Sequence, residues 1–134
     1  MLGRVSFSVL SLALALAACG PGERDLEREG AALFASNCAI CHGGDARGGG
    51  GAGVRGLSKT PADLTVLSRN AGGVFPDAKV LAILDAYAAG KQVGRPMTPL
   101  VAMEDTRRAR LPGMSRAPRA QAAIVAWLRS VQVP

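Results

Sequence analysis

Apolar positions recur at helical spacing in three stretches of the chain. From Asp25 to Ser36, Leu26, Leu33 and Phe34 fall on related faces behind an acidic first turn, which predicts a helix. Val80, Ile83, Leu84 and Tyr87 stand at i, i+3, i+4 and i+7 after Pro76, predicting a helix that ends near Gly90. Arg119 to Val131 repeats the pattern with Ile124, Trp127, Leu128 and Val131 on one face, and Gln121, Arg129 and Gln132 elsewhere. A fourth helix is predicted over residues 60–70, with Thr60 as N-cap, Pro61 at the first helical position, Asp63 in the first turn and Leu64 and Leu67 buried.

The stretches between these segments break the pattern. Residues 43 to 56 contain eight glycines and one sizeable apolar residue, Val54, and read as a loop. Residues 91 to 118 hold four prolines, two glycines and three methionines, which predicts an extended wrapping segment with one short helical piece near Val101 to Arg108. No strand pair and no internal repeat is read from the chain, so the expected class is all-α.

The opening residues have a different character. Arg4 precedes an uncharged apolar run from Val5 to Ala18 that is too short for a good membrane span and has the layout of a secretory signal. Its end, Leu16-Ala17-Ala18-Cys19-Gly20, resembles the lipobox of bacterial lipoproteins. That resemblance implies cleavage before Cys19 and a lipid on its sulfur; cleavage after Ala15-Leu16-Ala17 would instead leave Cys19 a stray thiol. The expected organisation is a signal at 1–18, a tether at 19–24 and one domain at 25–134, since the 116 residues after the signal suffice for one core. The expected location is the periplasm, with the chain anchored to a membrane.

Aromatic residues make up only 4% of the chain, while Gly and Pro total 25 residues, so few large side chains are available to fill a core. A large apolar cofactor suits that shortage. The net charge of +6 is polarised: Arg107, Arg108, Arg110, Arg116 and Arg119 fall within thirteen residues, and Glu23, Asp25, Glu27 and Glu29 cluster ahead of them. The basic cluster reads either as a solvated surface or as a docking patch for an acidic redox protein. Export and the absence of interleaved aromatics argue against nucleic acid.

The chemistry-bearing motif is Cys38-Ala39-Ile40-Cys41-His42, the pattern of covalent haem attachment. Two thiols add to the two vinyl groups of the macrocycle, and the adjacent imidazole, from the chain's single histidine, binds the iron. A structural zinc site would need four ligands, and apart from Cys19 this motif already holds every Cys and His. A thioredoxin-like disulfide would need a strand-helix-strand setting, whereas the surroundings are helical and glycine-rich. With no second histidine, methionine is the natural candidate for a sixth iron ligand. Met97, stiffened by Pro96 and Pro99, is the first choice; Met114, after Pro112-Gly113, is the rival; Met103 reads as packing. His42 needs an acceptor for its Nδ1 proton, expected from a carbonyl near Leu57, and Arg55, Arg95 and Tyr87 are eligible donors to the propionates.

Residues 28 to 132 resemble the class I cytochrome c family, in particular its bacterial periplasmic monohaem branch. The resemblance rests on Gly30 to His42, on Pro61-Ala62-Asp63-Leu64-Thr65, on Gly72-Gly73-Val74-Phe75-Pro76, and on Ile124 to Ser130. It implies about four helices around one haem c, with the first and last helices crossing at Gly30 and Phe34 and Trp127 filling the contact. It departs from that branch at Thr98, which stands between Met97 and Pro99. The implied function is one-electron carriage between redox proteins, by a monomer or by a subunit of a periplasmic dehydrogenase or oxidase complex. A gas sensor or peroxidase would want a distal acid or base, and the sequence offers no distal histidine.

Overall fold

A computed structural model of the protein describes residues 21–50, 59–91 and 106–134. Five helical segments, α1 (Pro21–Asn37), α2 (Ala39–His42), α3 (Leu67–Asn70), α4 (Asp77–Ala88) and α5 (Arg119–Ser130), carry most of it. The expectation of an all-α chain is corrected by a small antiparallel ribbon, β1 (Arg108–Arg110) and β2 (Arg116–Pro118). Its register pairs Arg108 with Pro118, Ala109 with Ala117 and Arg110 with Arg116. The alternation puts Ala109 and Ala117 against the core and the arginines of β1 outside, and buried Leu111 pins the turn.

α1 and α5 form the centre of the molecule. Leu26, Gly30 and Phe34 recur every four residues along α1 and are all buried. α5 offers a face of small residues, Ala120, Ala122, Ala123 and Ala126, around Ile124 and Val125. Gly30 is required at the crossing: a Cβ there would lie 1.9 Å from the Ala123 carbonyl oxygen and 2.8 Å from the Trp127 Cβ. Phe34 and Trp127 meet beside it with ring centroids 4.3 Å apart and planes tilted by 37°. Ion pairs tie the helices at their rims, where Arg119 donates to Glu29 at 2.8 Å and Arg129 reaches both Asp77 of α4, at 2.5 Å, and Glu23 of α1, at 3.9 Å.

Three expectations about elements change. α1 begins at Pro21, so the residues read as a tether include its first turn. The helix expected over 60–70 shrinks to Leu67–Asn70, because the Asp63 carboxylate accepts from both the backbone N–H and the hydroxyl of Thr65 and so closes a turn of its own. That bonding, the hydroxyl first, holds the Asp63 carboxyl below its ordinary range. Gln121, read as polar and away from the apolar face, is buried instead.

α4 matches its expected bounds, and Lys91 N–H bonding to the Ala86 carbonyl closes it around Gly90 at positive φ. The short piece expected near 101–108 falls mostly on residues outside those described, and its last residue, Arg108, lies in β1.

Candidate functional site

Where α1 ends, the chain makes one further helical turn that places Cys38, Cys41 and His42 at i, i+3 and i+4. The turn is closed by the His42 N–H donating to the Cys38 carbonyl at 2.9 Å and the Cys41 N–H donating to the same oxygen at 3.1 Å. Gly43, at φ 78°, then leads into the glycine loop. Gly48 has the same positive φ, and a Cβ on it would stand 2.5 Å from the Pro61 carbonyl oxygen. The loop thus packs backbone to backbone against the 61–64 segment, secured by the Leu64 N–H donating to the Ala46 carbonyl at 2.7 Å.

That packing fixes the imidazole. The His42 Nδ1 lies 2.9 Å from the Ala62 carbonyl, a bond in which Nδ1–H donates and Nε2 keeps its lone pair for a metal. The expected acceptor near Leu57 is therefore replaced by Ala62, five residues further along, in the 61–64 segment against which Ala46 and Gly48 pack. Gln132 holds the same segment from the other side: its amide donates to the Leu64 carbonyl at 2.8 Å and its oxygen accepts from the Ser68 N–H at 2.9 Å. Sequence reasoning passed over Gln132 as an outward polar residue; a glutamine directly after the last apolar face was the available signal.

Cys38 and His42 both open into a cavity of about 290 Å³. Phe34, Leu64, Leu67, Val80, Ile83, Leu84, Ile124 and Leu128 wall it, with Ala62 and Tyr87 completing the lining. Tyr87 is buried, and its hydroxyl finds no hydrogen-bond partner among the described residues. An apolar slot with an oriented imidazole, a thiol at its wall and an orphaned donor fits a flat, largely apolar macrocycle that carries its own acceptors.

Burial, and after it the neighbouring Cys41, push the Cys38 thiol up to about 11. A disulfide-exchange nucleophile needs the opposite shift, so the environment disfavours thioredoxin-like chemistry. Among the described residues, no three His, Cys, Asp or Glu side chains gather as a metal cluster.

Met114 sits at the ribbon turn, borders a separate pocket with Phe75, Pro76 and Asp77, and does not line the cavity. Cys19, Arg55, Leu57, Arg95, Met97 and Met103 lie outside the described residues.

These features define a c-type cytochrome. A family model described as cytochrome c oxidase, cbb3-type, subunit III matches residues 25–101, more than half of the chain, and the chain belongs to that family. Searches of curated proteins and of solved structures gave no match. As a class I c-type cytochrome the protein carries covalently bound haem c and serves electron transfer.

Proposed function

We propose that the protein is a periplasmic electron carrier held to a membrane by lipid on Cys19. Residues 1–18 are its cleaved leader, and the rest of the chain forms one haem domain. Cys38 and Cys41 provide the thioether bonds, His42 the proximal iron ligand and Met97 the sixth. The observation that carries this reading is the oriented imidazole: Nδ1 is held by the Ala62 carbonyl while the ring borders an apolar cavity shared with Cys38.

Haem c bound there supplies a one-electron Fe(III)/Fe(II) couple, whose potential is raised by methionine ligation and by apolar burial. The protein's own groups do the rest. Ala62 fixes the tautomer of His42, and Gln132 and the Leu64–Ala46 bond hold the segment that carries Ala62. The leucines and Ile124 exclude water, and the Tyr87 hydroxyl, which lines the cavity without a partner among the described residues, would donate to a propionate. With Met114 packed away from the cavity, Met97 is the methionine we assign. Replacing Met97 with Ala is expected to abolish the near-infrared Met-to-ferric charge-transfer band, and Met114→Ala to retain it. Survival of the band in the Met97 variant would sink the assignment.

The family, that of cbb3-type oxidase subunit III, favours a second reading, in which the chain works as a subunit of an oxidase. Detergent extraction separates the two. A free carrier is expected to leave the membrane alone, with an intact mass showing haem and acyl chains; recovery in a stoichiometric oxidase complex would establish the subunit role instead. Among the described residues no helix is long and apolar enough to cross a membrane.

A further inference from the structure

The β1–β2 ribbon falls beyond the residues matched by the family model. Its outward side carries Arg108, Arg110 and Arg116, all exposed. Arg110 stands directly opposite Arg116 in the register, an arrangement of like charges that disfavours pairing. Among the described residues no carboxylate pairs with any of the three. Among the described residues, Glu29 is engaged by Arg119 and Arg107, and Glu23 by Arg129. Such a face is complementary to a layer of negative charge.

Its place in the fold selects the layer. Arg110 and the turn residues Pro112, Gly113 and Ser115 border one groove together with Gly22 and Glu23, the first turn of α1. Cys19 precedes Pro21 by two residues, so covalent geometry alone keeps their Cα atoms within about 7 Å. The haem-attachment motif is at the opposite end of the same helix, since Gly22 and Cys38 are separated by about 24 Å of helical rise. A redox protein docked on the ribbon would sit far from the cysteines, whereas a membrane surface reached through Cys19 would sit against it.

We propose that this face is a second membrane contact, in which Arg108, Arg110 and Arg116 take the phosphates of anionic phospholipid headgroups and the lipid on Cys19 sets the distance. The inference rests on the anchor reading above. One acyl anchor leaves a protein free to tumble about its tether; a basic patch beside it holds one orientation, with the haem end turned away from the bilayer.

The test uses the full mature holoprotein, its intact mass recorded first so that the anchor is judged separately. The protein is placed on nanodiscs of phosphatidylcholine alone, or with about a third phosphatidylglycerol, and arginines are modified with hydroxyphenylglyoxal and mapped by mass. Arg108, Arg110 and Arg116 are expected to react about fivefold more slowly or less on the anionic discs, with protection lost at about 0.5 M salt, while Arg69 reacts equally on both. Equal reactivity of the three on both discs overturns the proposal and leaves the anchor standing. If the mass shows no acyl chains, the same map on anionic vesicles decides: protection retains the basic contact, and its absence overturns it. Protection found only with a copurifying acidic subunit assigns the face to a protein and overturns the lipid contact.

Discussion

A His42→Ala holoprotein is expected to lose the low-spin spectrum of a six-coordinate iron and to bind carbon monoxide rapidly when reduced, which the parent protein should not do. His42 is the chain's single histidine, and the Ala62 carbonyl orients its ring beside the cavity, so no second imidazole can take its place. Cys38→Ala, which keeps His42, is expected to remain low-spin, with the pyridine haemochrome band shifted as one thioether is lost. Absorbance spectra of the two variants separate loss of an iron ligand from loss of attachment. A low-spin, carbon-monoxide-resistant His42→Ala protein would refute the ligand assignment.

Gly30→Ala is expected to be the most damaging change to the scaffold. The added methyl would overlap the Ala123 carbonyl at 1.9 Å, and that oxygen belongs to α5 backbone, so relief requires the two helices to separate. Overpacking that backbone cannot absorb costs about 3 kcal/mol or more, equivalent to a fall in melting temperature of about 15 °C for a domain of this size. Gly22→Ala is the matched control: nothing lies within 4 Å of its Cβ position, and alanine is the better helix former. Calorimetry of both variants should show a large drop for the first and none for the second. A Gly30→Ala protein that melts with the parent would mean that the crossing is looser than described.

The elements with several turns of repeated apolar spacing were legible in the sequence. α4 keeps its expected stripe and α5 its expected bounds, because burial along a continuous stripe dictates a period that no short feature can override, although α5 buries Gln121 and its alanines beyond that stripe. The haem motif was equally plain, since its spacing is set by the cofactor rather than by the fold.

What escaped was set by contacts distant in sequence or by single side chains. The ribbon strands are three residues each, too short for alternation to stand out, although Arg-Ala-Arg and Arg-Ala-Pro flanking Pro112-Gly113 carried the hint. The start of α1 was missed because Gly20-Pro21-Gly22 looks like a tether, yet proline is well suited to a first helical position. Asp63 looked like a first-turn acid and acts instead as the acceptor that ends a helix before it begins. Ala62 could not be foreseen as the partner of His42, because the path of a glycine-rich loop is fixed by which backbones can approach it.

The crossing of α1 and α5 bears on the order in which the protein can mature. The helix that precedes the attachment motif finds its partner in residues 119–130, which emerge well after that motif during synthesis. Until then Phe34 has no Trp127 to cover it, and the cysteines are carried on an open chain that assembly enzymes can reach. Closure by the final helix then seals the pocket, so a product truncated before Arg119 would keep its attachment motif but never acquire a finished interior.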